Sequence, residues 1–190
     1  MAFAKCIMAS AVLLAWAVTA TAQPAACDRR CLEGIVERYL DALVKHDPSA
    51  VPLAAAARYT ENGQRLTVGD GLWRSVRSKG KYRLIVADPE AQQVAFIGTL
   101  EEQNADPLLG TPALIALRLK VVAGEITEVE QFITRSVDAA KRVEALGRPH
   151  ATFSQAVPAA ERMSRAELVA TANKYFTGMQ QNDGKGDYPF

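Results

Sequence analysis

The chain has 190 residues, 49% of them hydrophobic, with 22 basic residues against 21 acidic ones and a formal net charge of +1. That apolar fraction is enough for a real core, and the near balance of charge gives no field to steer the protein toward nucleic acid or anionic lipid.

The first stretch is a targeting segment rather than part of a fold. Lys5 precedes an apolar run from Cys6 to Val18 that closes on Ala20-Thr21-Ala22, the pattern of a secretory signal peptide with an A-x-A cleavage site. The run is too short to span a bilayer. Residues 1–22 are therefore set aside, and the rest is expected to be secreted or periplasmic, with no membrane segment after cleavage. Pro24-Ala25-Ala26 lacks the branched apolar residue that would precede a lipidated Cys27. Cys6 leaves with the signal, so Cys27 and Cys31 remain, and an exported chain with two cysteines favours a disulfide between them. Four residues apart at a helix start, they form a local staple of small loop-closure entropy. A redox role is weaker because the motif is not C-x-x-C, and no metal site is expected because no further ligands lie nearby.

Asp28 is placed to cap a helix in which Leu32, Ile35, Val36, Tyr39, Leu40 and Leu43 follow helical periodicity, with Glu33, Glu37, Asp41 and Lys45 opposite. His46-Asp47-Pro48 stops it. Ser49 to Ala57 reads as a second short helix or turn. After Arg58 the period changes: Arg58–Glu61 and Arg65–Val68 read as short strands around Asn62-Gly63, a turn pair that tolerates positive φ. Asp70 to Val76 is read as one helical turn with Leu72 and Trp73 inward. Four main strands are expected at Lys81–Asp88, Val94–Glu102, Ala113–Val122 and Ile126–Arg135, with turns at Asp88-Pro89 and Ala123-Gly124. Helices first and a meander afterwards predict an α+β domain, its helices packed on one face of a strongly curved, mainly antiparallel sheet.

Residues 136–162 read as a basic, Pro-containing linker. From 163 to 190, and most clearly over Ser164 to Asp183, the pattern of the first helix returns. Leu168, Ala172, Tyr175, Phe176 and Met179 fall where Leu32, Val36, Tyr39, Leu40 and Leu43 fell. The expectation is the opening of a second copy of the domain, truncated at Phe190.

Arg38-Tyr39-Leu40-Asp41-Ala42-Leu43 through His46-Asp47, then Tyr59-Thr60-Glu61-Asn62-Gly63 and the strand beginning Gly124-Glu125-Ile126-Thr127-Glu128, resemble the SnoaL-like and ketosteroid-isomerase-like members of the nuclear transport factor 2-like superfamily. The likeness covers residues 27–135. It implies a cystatin-like cone enclosing an apolar pocket for a small-molecule ligand, without a cofactor. By position, Glu61 resembles the family's proton-shuttling carboxylate and Tyr39 its oxyanion donor, with Tyr59, Asn62, Trp73 and Arg118 as pocket candidates. The family's second acidic donor has no counterpart in Leu114-Ile115-Ala116-Leu117-Arg118-Leu119, where Arg118 stands as a fixed positive charge.

Each candidate has a plainer reading. Tyr39 lies on the buried stripe of its helix, where a core tyrosine with a satisfied hydroxyl is the simpler account. Trp73 is equally a core plug, and Arg118 alternates with Leu117 and Leu119 as an outer-face residue would. Glu61 beside a turn would be a solvated strand end unless it faces inward. Two functions follow: cofactor-independent isomerase or lyase chemistry on a small apolar carbonyl compound, or a noncatalytic domain that binds a small molecule or pairs as a homo-oligomer or tandem. The direction of Glu61 discriminates between them.

Overall fold

A computed structural model describes residues 26–103, 110–181 and 183–185. The signal-peptide reading of residues 1–22 lies outside the described residues. The chain divides into two units, residues 1–148 and 149–190.

In the first unit, α1 (Arg29–Lys45) begins at Asp28, whose carboxylate accepts from the Cys31 backbone N–H at 2.8 Å, as expected of a cap. Cys27 and Cys31 are disulfide-bonded, with Cα atoms 5.3 Å apart. The helix ends on His46, in the left-handed region, and Asp47-Pro48 turns the chain away. The Ala-rich stretch after it is not helical. It is the first half of a nine-residue strand, β1 (Leu53–Glu61), because pairing with the last strand outweighs the helix preference of alanine. The Asn62-Gly63 turn, with both φ angles positive, leads to β2 (Gln64–Arg65). A single turn of helix, α2 (Leu72–Ser75), buries Leu72 and Trp73 as expected.

Four long strands follow: β3 (Val76–Asp88), β4 (Gln93–Gln103), β5 (Gly110–Val122) and β6 (Glu125–Thr134). The open sheet runs β2-β1-β6-β5-β4-β3, antiparallel except where β1 lies parallel to β6. Register shifts in the β1–β6, β3–β4 and β5–β6 pairings mark bulges, which bend the strands and curve the sheet. Arg74, Arg77, Lys79, Lys81 and Arg83 fall on α2 and β3. Lys79 pairs with Asp41, and Arg83 with Glu37, so two of these cations tie β3 to the polar edge of α1.

The core lies between α1 and the inward face of the sheet. Leu32, Ile35, Val36, Tyr39, Leu40 and Leu43 meet Val94, Phe96, Leu100, Ile115, Leu117, Leu119, Val129 and Ile133 there. This is the cone-like α+β architecture that the resemblance implies. One element was not foreseen: α3 (Val137–Leu146) occupies the start of the expected linker. Its Glu144 reaches Thr99, and its Lys141 shares a cavity with Ser78, Glu101 and Pro112, a cross-strand row on the face opposite Phe96 and Leu100. The expectation that all helices share one face is thereby corrected: α1 covers one face, and α3 covers one end of the other.

In the second unit, α4 (Arg165–Gln181) forms where the sequence places a helix, following short 3-10 turns at Ala151–Ser154 and Ala159–Glu161.

Candidate functional site

The end of β1 and the inward face of β6 bring together a polar network inside an apolar core. Tyr59 and Glu61 alternate inward along β1, and β6 runs parallel beside it with Glu61 opposite Gln131. Glu61 is only 8% exposed, and Gln131, Tyr39, Tyr59 and Trp73 are fully buried. Polar groups in such a place must find one another.

They do so as a chain. The Tyr39 hydroxyl donates to Gln131 Oε1 at 3.1 Å, and Gln131 Nε2 donates to the Tyr59 hydroxyl at 2.9 Å and to Glu61 Oε2 at 3.1 Å. The Tyr59 hydroxyl lies 3.1 Å from the same carboxylate oxygen and 3.2 Å from the Asp70 carbonyl. The Leu72 backbone N–H donates to Glu61 Oε2 at 2.8 Å. That approach needs Gly71, because a Cβ there would lie 2.4 Å from Glu61 Oε2 and its φ of +63° disfavours any side chain. The other oxygen, Oε1, meets Arg135 Nη2 at 3.4 Å. Arg135 in turn grips Glu102 with Nε at 2.7 Å and Nη2 at 2.9 Å, and Ser75 Oγ donates to Glu102 at 2.6 Å. Two buried carboxylates thus share one half-exposed guanidinium.

Burial, with the charges of Tyr39 and Glu61 adding to it, pushes the Tyr59 phenol far above its ordinary range. Burial does the same to Tyr39, and the charge of Glu61 adds to it. Both stay protonated donors at any physiological pH. Arg135 is held firmly charged, first by its hydrogen bonds to Glu102 and also by Glu61, against the opposing effect of burial. Trp73 packs edge-on to Tyr39 with ring centroids 5.3 Å apart, and its Nε1 has no hydrogen-bond partner among the described residues.

Of the residues singled out from sequence, Tyr39, Tyr59, Glu61 and Trp73 come together. Two do not. Asn62 is exposed at the turn and uses its amide to clamp β6, with Oδ1 accepting from Ile133 N–H at 2.7 Å and Nδ2 donating to the Ile133 carbonyl at 3.3 Å. Arg118 does not join this network: the pleat of β5 sends it to the outer face, where it binds Glu128, Glu130 and Gln93 and lines a separate cavity with Ile97, Ala116 and Phe132. The glutamates 128 and 130 are therefore partners of Arg118, and no group of three or more potential ligands could hold a metal among the described residues. His46 donates through its Nδ1–H to the Trp73 carbonyl, 2.5 Å away.

Gln131, Glu102, Arg135 and Ser75 were missed. A signal existed for two of them. Gln131 interrupts the inward series Val129, Ile133, and Glu102 ends the series Val94, Phe96, Leu100; a polar residue at an apolar register position marks a buried polar site. Arg135 lies just beyond β6, and no periodicity points to it.

No curated protein sequence matches the chain. Among solved structures, an LEH-like epoxide hydrolase of M. tuberculosis is 22% identical, covering 62% of this chain and 90% of its own, with a TM-score of 0.44. An NTF2-like protein from Burkholderia xenovorans is 14% identical over 62% of this chain and 98% of its own, with a TM-score of 0.45. A protein with a cystatin-like fold from Methylobium petroleophilum is 15% identical over 57% and 79%, with a TM-score of 0.47. At these identities the likeness is one of fold, and no activity passes from them to this chain. The family model described as Domain of unknown function (DUF8021) matches residues 25–133, over half of the sequence, and the chain belongs to that family.

Proposed function

We propose that this is an exported domain that transfers a proton on a small, mostly apolar carbonyl compound without a cofactor, with Glu61 as the proton carrier. The observation that carries the reading is the asymmetry of the Glu61 carboxylate. Oε2 is fixed by Leu72 N–H, Tyr59 and Gln131, whereas Oε1 has one long contact, to Arg135, among the described residues. A base must be held in place and still have one oxygen available for the proton. Tyr39 acts through Gln131 as a positioning residue, since its hydroxyl is already given to that amide. Arg135 supplies the fixed positive charge that the sequence offered to Arg118, steadying negative charge as it develops on the substrate oxygen. The inward direction of Glu61 is what separates this reading from a purely binding one.

The test is Glu61→Gln, which keeps size and removes the titrating group. Turnover of a responsive carbonyl compound should fall by about two to four orders of magnitude with ligand binding kept. Equal turnover by the variant would remove Glu61 from the chemistry.

A second reading has its own observation. Leu84, Ile97, Ala116 and Phe132 form one cross-strand row on the outer face, and Ile97 and Phe132 are about half exposed. Such a face suits pairing with a second domain. The recurrence of the α1 pattern in α4, with Leu168, Phe176 and Met179 exposed where their α1 counterparts are buried, supports a tandem arrangement in the same way. Phe132→Glu would then lower the mass measured by sedimentation, and an unchanged mass would set this reading aside.

A further inference from the structure

The bulge in β3 leaves a second polar site, on the face that α3 covers. Lys79 pairs with Leu100 and Arg83 with Gly98, so Gly80, Lys81 and Tyr82 together oppose the single residue Thr99. The N–H groups of Lys81 and Tyr82 are thereby turned from the ladder to one point. What stands there is the carboxylate of Glu144. Lys81 N–H lies 3.0 and 2.9 Å from its two oxygens, Tyr82 N–H lies 3.3 Å from Oε2, and the Thr99 hydroxyl donates to Oε2. Gly80 permits the approach, since a Cβ there would lie 2.8 Å from Glu144 Oε2 and 2.1 Å from the Thr99 hydroxyl. Successive backbone N–H groups with a hydroxyl make an anion-binding concavity.

Beside this point lies a cavity of about 190 Å³, lined by apolar Leu100 and Pro112 and by Lys81, Lys141 and Glu144. Lys79 at its edge is paired with Asp41, and Glu101 accepts from Ser78. Neither Lys81 nor Lys141 makes a direct ion pair among the described residues; Lys81 is close enough to Glu144 to lower the pKa of its carboxyl, so the charge that Lys81 balances is the one an incoming acid would replace. Since about 10–15 Å³ of such space holds one water, the cavity has room for a small organic acid.

We propose that the β3 bulge is a receptor for the carboxylate of a small organic acid, that Glu144 fills it from within the chain, and that an acid held in the adjoining cavity by Lys81 and Lys141 displaces Glu144. The short apolar tail of such an acid lies against Pro112. Displacement removes the one hydrogen-bonded anchor of α3 at β3 and β4 among the described residues, so binding is coupled to release of the end of that helix. An internal competitor lowers apparent affinity in proportion to the time it occupies the site; if Glu144 vacates for about a tenth of the time, its removal tightens binding about tenfold.

The probe is sodium butanoate, six heavy atoms, titrated into the full chain while the amide resonances of Lys81 and Tyr82 are followed by NMR, with sodium chloride as the ionic control. Wild type should show saturable shifts at both amides beyond the chloride control. Glu144→Ala should bind about tenfold more tightly, and Lys141→Met, at the exposed rim, should bind several-fold more weakly with hydrogen-exchange protection of β3 unchanged. If Glu144→Ala does not fold, wild type and Lys141→Met decide the matter. No saturation in wild type, even with binding by Glu144→Ala, would make Glu144 a permanent structural plug and overturn the proposal, as would a Lys141→Met affinity equal to that of wild type.

Discussion

Replacing Gln131 by Leu removes the residue through which Tyr39, Tyr59 and Glu61 are joined, at nearly constant volume. Three hydrogen bonds disappear: Tyr39 to Oε1, and Nε2 to Tyr59 and to Glu61. The losses are unequal. Tyr59 keeps Glu61 and the Asp70 carbonyl, and Glu61 keeps Leu72 N–H and Arg135, but the Tyr39 hydroxyl is left buried without its acceptor. An orphaned buried hydroxyl costs about 1–3 kcal/mol, and each lost bond between partners that remain satisfied about 0.5–1.5 kcal/mol. The sum is roughly 2–6 kcal/mol. With a urea m-value of about 1.5 kcal/mol/M, the midpoint should fall by roughly 1.5–4 M. The assay is urea unfolding followed by the fluorescence of Trp73, whose ring packs against Tyr39. In a Tyr39→Phe background the orphan no longer exists, so Gln131→Leu should cost about 1–2 kcal/mol less there, a coupling that a double-mutant cycle reads directly. A midpoint within about 0.3 M of wild type, or strict additivity of the two changes, would refute the network as the organiser of this core.

Gly71→Ala should destabilise by at least about 2 kcal/mol in the same assay, because its positive φ and the nearby Glu61 oxygen leave no room for a methyl group. Arg118→Met should change stability by no more than about 1 kcal/mol and leave binding at the Glu61 network unaltered, as expected of a partly exposed ion pair on the outer face. Burial opposes the ionisation of Glu144, but the hydrogen bonds from Thr99 and from the Lys81 and Tyr82 N–H groups outweigh it and hold its carboxyl below the ordinary value of 4.5. A depressed folded pKa gives stability that is present above the unfolded value and lost as pH falls through the folded one, so Glu144→Gln should flatten the acid limb of the stability–pH curve below about pH 4.5. Tyr39 and Tyr59 have raised folded values, so their contribution is full below the ordinary phenol range and declines above about pH 10; phenolate absorbance should appear for these two only as the domain unfolds.

Much of the architecture is legible from residue type and spacing. The α1 stripe, its Asp28 cap, the Asn62-Gly63 turn and the four long strands all follow from local chemistry, and local and tertiary preferences agree there. The Ala run at 54–57 was misread because its conformation is decided by pairing with β6, a contact far away in sequence. α3 was missed because it has one fully buried residue, Ala140, and docks by a single carboxylate rather than by an apolar stripe. At the site, Glu61, Tyr59 and Tyr39 were recognisable as polar groups among apolar neighbours, and Gln131 and Glu102 carried the same mark at strand positions. Arg118 against Arg135 shows the limit: which arginine faces Glu61 depends on the pleat of β5 and on where the chain leaves β6.

Proton transfer by Glu61 can be measured before any natural substrate is known, by following deuterium uptake from D₂O at the carbon beside the carbonyl of small apolar ketones. The account predicts protein-dependent exchange above the buffer rate that falls by about 100- to 10,000-fold in Glu61→Gln with the fold intact. Exchange of equal rate in wild type and Glu61→Gln, or none above buffer across the ketones, would contradict it.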